Sequence, residues 1–135
     1  LMGMTAHIIY SALDGAQVST LSRVVVGDII RDSIGFDGLL ITDDLSMKAL
    51  SGDFVERTEK ALAAGCDIIL HCNGDRDEMA AIASVLPQNM SGKTAERAAR
   101  VEAEIACLSS RVDEKTQKRW GELVGHVFPE AKNTV

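Results

Sequence analysis

The side chains best suited to chemistry fall at the ends of apolar runs. Asp43 and Asp44 follow Gly38-Leu39-Leu40-Ile41-Thr42, His7 stands within the run 4–10, and His71 and Asn73 close the run that begins at Cys66. Adjacent carboxylates at a strand end can serve as nucleophile, general base or cap, and an imidazole moves protons near neutral pH. Asp44 is placed to cap the turn Leu45-Ser46-Met47-Lys48, where a short acceptor side chain satisfies free amides. Asp43 has no such local use. A carboxylate at the end of an all-apolar strand is costly to bury unless it is paired or reacts, and residue type alone leaves both readings open. His7 is likewise open between a hydrogen-bonded core histidine and direct chemistry. His71-Cys72 does not make a metal site, because zinc needs three or four convergent ligands and the other cysteines fall in a strand start and a surface helix.

These residues need elements to hold them, and the pattern alternates strand with helix. Strands are expected over residues 4–10, 38–42 and 66–71. The middle one is a continuous apolar run, as when both faces of a sheet are covered. Thr20 or Ser22 offers a cap for a helix through Val26, Ile29, Ile30 and Ile34, which Gly35 ends. Asp53 with Glu56, and Asp75 with Glu78, read as two further helix starts, closed by Gly65 and Pro87. Ala98, Val101, Ile105, Leu108 and Val112 step by three and four, the stripe of an amphipathic helix. Residues 113–135 are weakly patterned, a short terminal helix or a loose tail. Three strands each leading to a helix, at a repeat of about 30 residues, imply parallel α/β architecture. In such folds the reactive face lies at the carboxyl ends of the strands, where His7, Asp43 and His71 gather.

Composition narrows the classes. The chain has 135 residues, 46% hydrophobic and 25% charged, with a formal net charge of -6. That acidity disfavours nucleic acid, whose affinity rests on phosphate neutralisation. No apolar run approaches the roughly 20 residues that span a bilayer, so no membrane association is expected. Cys66, Cys72 and Cys107 are odd in number and follow no CxxC spacing, which predicts free thiols and a cytoplasmic location. Gly35-Phe36-Asp37-Gly38 lacks the GxGxxG pattern of a dinucleotide site, and no phosphate loop is present, so neither cofactor nor metal is expected.

At residues 29–47, Ile-Ile-Arg-Asp-Ser-Ile-Gly-Phe-Asp-Gly-Leu-Leu-Ile-Thr-Asp-Asp-Leu-Ser-Met, the chain resembles glycoside hydrolase family 3 around its catalytic nucleophile. Residues 4–10, 42–47 and 63–73 also look like the bacterial β-N-acetylglucosaminidase (β-N-acetylhexosaminidase) branch of that family, and three separated motifs fall in the expected order. Ser33 departs from the charged or amide side chain usual there. The resemblance assigns the nucleophile to Asp43 and implies a retaining double displacement on terminal β-linked N-acetylglucosamine of peptidoglycan-derived muropeptides, in peptidoglycan recycling. His7 would line the same substrate pocket, with no cofactor.

The resemblance also implies what to look for elsewhere. The branch carries its acid/base as a His paired with an Asp after an earlier strand, and nothing here resembles that motif. Retaining hydrolysis needs a second proton-transfer group about 5 Å from the nucleophile, so the chain is expected to be inactive alone. By the same resemblance, residues 1–112 are the last three βα units of a (β/α)8 barrel, which takes about 250 residues, and residues 113–135 a C-terminal helical extension or tail. The abrupt apolar start at Leu1 fits a cut before the sixth strand. The alternatives are a β-glucosidase or β-xylosidase of the same family, or a non-catalytic module that self-associates through open sheet edges.

Overall fold

A computed structural model of the chain describes residues 1–109 and 113–127. They fall into two units, Leu1–Val101 and Glu102–Val135. The first unit is built on a parallel sheet of three strands in the order β1 (Met2–Met4), β2 (Leu39–Asp44) and β3 (Ile68–Leu70). β1 pairs Met2, Gly3 and Met4 with Leu39, Leu40 and Ile41, while β2 pairs Ile41 with Ile68 and, after a register shift, Asp44 with Leu70. Leu39 and Leu40 point to opposite faces of β2 and both are buried, so the continuous apolar run marks a strand covered on both sides. Val26, Leu40, Ala64 and Cys66 form a core cluster, with Ile30 and Phe36 packed against it. This is α/β architecture, as expected.

The first strand is a correction. It was expected over residues 4–10, but ends at Met4. The amide of Thr5 makes one more bond to the Ile41 carbonyl, after which the chain leaves the sheet and Ile8 accepts from the amide of Ser19. The apolar run Ile8-Ile9-Tyr10 is exposed. Its pattern reflected residue type, whereas β1 ends where the chain turns away from β2, which itself runs on to Asp44.

The helix expected before Gly35 also differs. A 3-10 turn spans Ser19–Leu21, and Val24–Ser33 winds as a π-helix, with the Ile34 amide bonded to the Ile29 carbonyl five residues back. The β-branched triplet Val24-Val25-Val26 is a poor α-helix former. Of the two candidate caps, Ser22 does the work, its Oγ accepting the Val25 amide at 3.0 Å.

Other starts and stops follow local chemistry. Asp53 accepts the Glu56 amide at 2.8 Å to open α1 (Phe54–Ala64), which ends at Gly65 in a left-handed conformation, φ 117°. Asp75 accepts the amides of Asp77 and Glu78 to open α2 (Arg76–Val85). Leu86 turns extended ahead of Pro87, as the proline ring requires of its predecessor. α3 (Gly92–Ser109) starts before the stripe that suggested it; Val101 is buried and Ile105 exposed, while the Leu108 side chain and Val112 lie outside the described residues. In the second unit, α4 (Glu114–Val127) follows Asp113, which accepts the Thr116 amide at 2.7 Å. Trp120 and Leu123 are exposed on it.

At the amino-terminal end of β3 lies a buried ionic hub. Asp67 accepts from the Leu40 amide (2.9 Å), Arg31 Nη2 (2.6 Å), the Thr94 hydroxyl (2.7 Å) and Arg97 Nη1 (2.9 Å). Burial raises its pKa, but these four donors outweigh that and hold the carboxyl below its ordinary value. Arg31 also donates to the carbonyls of Phe36, Gly38 and Gly65, tying the π-helix, the turn into β2 and the end of α1 together. Arg97 and Arg100 reach Asp37 as well.

Candidate active site

The opposite end of the sheet carries the residues singled out from the sequence. β2 runs through Asp43 and Asp44, so both carboxylates sit at its carboxyl end, two residues further into the strand than expected. Their environments differ. Asp44 uses both oxygens: Oδ1 accepts the amides of Ser46 (2.9 Å) and Cys72 (3.1 Å), and Oδ2 accepts the Ser46 hydroxyl at 2.6 Å. Burial works to raise its pKa, but the Ser46 and Cys72 donors and the neighbouring His71 prevail, so the carboxyl titrates below its ordinary value. It therefore caps the turn after β2 and also fastens the end of β3.

Asp43 is held on one oxygen only. Its Oδ1 accepts the Asp44 amide at 2.8 Å, and among the described residues no hydrogen bond reaches Oδ2. The peptide amide of Asp43 donates to Thr5 Oγ1 at 3.2 Å. The carboxylate is half-buried, oriented through Oδ1, and has Oδ2 unengaged among the described residues.

His7 sits beside the pair. Its Nδ1 lies 2.9 Å from Thr20 Oγ1 and its Nε2 lies 2.9 Å from the Asp44 carbonyl oxygen. Both ring nitrogens are thus engaged within the chain. His71 and Asn73 converge on Glu78 instead: His71 Nε2 lies 2.7 Å from Glu78 Oε2, and Asn73 Nδ2 donates to the same oxygen at 2.6 Å. The Phe54 and His71 rings meet in a T-shaped arrangement at 5.5 Å between centroids, and His71 Nδ1 is buried without a partner among the described residues. These contacts tie the end of β3 to the first turn of α2. Among the described residues no three His, Cys, Asp or Glu side chains are grouped so as to hold a metal ion, and no helix is long and apolar enough to cross a membrane.

Two further contributors are Arg57 and the pair Thr5 and Thr20, of which the sequence singles out only Thr20, as a possible helix cap. Arg57, on α1, donates to the carbonyls of Leu45 (2.6 Å), Leu50 (2.8 Å) and Gly52 (3.0 Å), and its guanidinium lies 5.1 Å from the Phe54 ring centre. One side chain thereby shapes the loop that follows the aspartates. Thr5 and Thr20 are the other pair, their hydroxyl oxygens 2.8 Å apart and both residues buried. The partners of Thr5 lie 15 and 38 positions along the chain, beyond the reach of any local pattern.

The chain is similar to known proteins in both sequence and fold. The chain is 50% identical over 72 residues to a β-hexosaminidase of Mannheimia succiniciproducens, covering 52% of this chain and 20% of that protein. It is 43% identical over 86 residues to a β-hexosaminidase of Chromobacterium violaceum, covering 62% and 24%. It thus spans about a quarter or less of the curated relatives it matches. Among solved structures, the β-N-acetylglucosaminidase of Thermotoga maritima is 35% identical with a TM-score of 0.55, over 62% of this chain and 19% of that one. NagZ of Neisseria gonorrhoeae is 30% identical with a TM-score of 0.59, over 71% and 26%. The glycosyl hydrolase family 3 N-terminal domain model matches residues 1–106, and the chain belongs to that family.

Proposed function

We propose that this chain is the nucleophile-bearing part of a retaining β-N-acetylhexosaminidase, and that its three βα units are the last three of a (β/α)8 barrel. One observation carries the reading: Asp44 spends both carboxylate oxygens on the fold, whereas Asp43 keeps Oδ2 unengaged at the carboxyl end of the central strand. The likeness to β-hexosaminidases supports it. A retaining mechanism requires such an anion, fixed on one side and open on the other.

In the first step Asp43 Oδ2 attacks the anomeric carbon, forming a C–O bond to the enzyme as the bond to the leaving-group oxygen breaks. That oxygen takes a proton from a general acid. In the second step the same group removes a proton from water, which attacks the anomeric carbon and returns the electron pair to the Asp43 carboxylate. This proton-transfer group belongs to chain upstream of the strands described, so the 135 residues do not turn over substrate alone. The substrate is terminal N-acetylglucosamine on a peptidoglycan-derived muropeptide, and the setting is cytoplasmic peptidoglycan recycling.

The test is a fusion of this chain to the upstream part of the Mannheimia succiniciproducens β-hexosaminidase, assayed with a chromogenic N-acetyl-β-glucosaminide. The fusion hydrolyses it, the isolated chain does not, and Asp43→Ala in the fusion abolishes turnover. An Asp43→Ala fusion as active as its parent overturns the assignment.

A further inference from the structure

We infer that Thr5, Thr20 and His7 form a positioning assembly that grips the backbone on both sides of the Asp43–Asp44 peptide; its value to catalysis rests on the reading of Asp43 as nucleophile. The need for it follows from the sheet. β1 stops at Met4 and the Thr5 amide makes the last main-chain bond to β2, at Ile41. Beyond that point no strand among the described residues pairs with β2 on this side, yet Asp43 lies two residues further on. Side chains replace the missing ladder.

The order of protons can be worked out from acceptors alone. The Asp44 carbonyl only accepts, so His7 Nε2 carries the hydrogen that meets it at 2.9 Å. In the neutral ring Nδ1 is then a lone pair and takes the Thr20 hydroxyl proton. The Thr20 hydroxyl can also donate to the Ala6 carbonyl, at 3.1 Å, but His7 Nδ1 is nearer at 2.9 Å and is given the proton here. With its proton spent on His7, Thr20 Oγ1 accepts the Thr5 hydroxyl, and Thr5 Oγ1 accepts the Asp43 amide. The circuit starts at the amide of Asp43 and ends at the carbonyl of Asp44, each donor used once. The Asp44 amide between those two ends is the group that orients Asp43 Oδ1. Fixing the peptide therefore fixes the carboxylate, and displacement on the scale of an ångström is costly to a reaction that depends on alignment.

The test reads the uniformly 15N-labelled chain by NMR, without turnover. Long-range correlations of the His7 ring show the neutral Nε2–H tautomer; the Nδ1–H tautomer, or a fast-averaging mixture, overturns the assembly. Thr20→Val speeds hydrogen exchange at the Asp43 amide by roughly five- to tenfold, the size expected for one lost hydrogen bond. Exchange at Leu40, whose amide is held by Asp67, stays unchanged, and Thr20→Ser restores the slow rate at Asp43. Unchanged exchange at Asp43 in folded Thr20→Val overturns it. If that variant fails to fold, the tautomer in the unaltered chain decides. An Nε2–H ring beside an Asp43→Ala fusion as active as its parent would instead overturn the nucleophile assignment and leave the grip standing.

Discussion

Replacing Asp67 by Asn changes few atoms and removes the centre of the ionic hub. The Asp67 side chain is 2% exposed, and its partners Arg31 and Arg97 are 11% and 14% exposed, so solvent screens the pairs little. Asparagine keeps one acceptor oxygen and turns the other into an NH2 donor. With its oxygen toward Leu40 and Arg31, the amide faces Thr94 and Arg97, donor against donor. Breaking a buried ion pair by removing one partner costs about 3–5 kcal/mol. Arg31 retains the carbonyls of Phe36, Gly38 and Gly65, which places the cost near the lower end, about 3 kcal/mol. At a urea dependence of about 2 kcal/mol/M, the unfolding midpoint followed by circular dichroism falls by about 1.5 M. Asp37→Asn is the control, since Asp37 shares Arg97 but is 52% exposed and should move the midpoint far less. A midpoint for Asp67→Asn equal to the parent's, or an equal shift from Asp37→Asn, refutes the reasoning.

The same hub gives an acid dependence. Asp67 titrates below its ordinary value of 3.8 in the folded chain, so its contribution is complete above that pH and is lost as pH falls through the lower folded value. Stability against urea, measured from pH 6 downward, therefore drops below about pH 4 in the parent, and less steeply in Asp67→Asn; parallel curves would deny Asp67 that share. The cysteines separate by reactivity. Burial pushes the Cys66 thiol up to about 12, while Cys72 is exposed. Brief alkylation at pH 8 followed by mass mapping marks Cys72 and spares Cys66 until urea is added; equal labelling of the two in the folded chain would contradict the core placement of Cys66.

Local chemistry was legible wherever cause and effect lie within a few residues. Asp53, Asp75 and Asp44 cap the turns that their spacing suggested, because a short carboxylate reaches only the next amides along its own chain. Gly65 closes α1, since a left-handed residue strongly favours glycine. The run from Leu39 to Thr42 made β2 recognisable without any partner in view. What failed was extent: residues 5–10 read as strand, and their main-chain pairing stops at Thr5, where the chain leaves the sheet and Ile8 turns to Ser19.

The site divides along the same line. Residue order alone places two aspartates at the end of an apolar strand and a histidine in the apolar run before it. It could not say which aspartate stays open. That was decided when β3 brought the Cys72 amide to Asp44 across 28 positions, and when Thr5 met the Asp43 amide across 38. Nor could it show His7 bonded at both ring nitrogens, or Asp67 gathering Arg31 and Arg97 from 36 and 30 residues away. Hydrogen bonds are short and directional, so a residue's type states what it can bond, and only the tertiary fold states what stands within 3 Å of it.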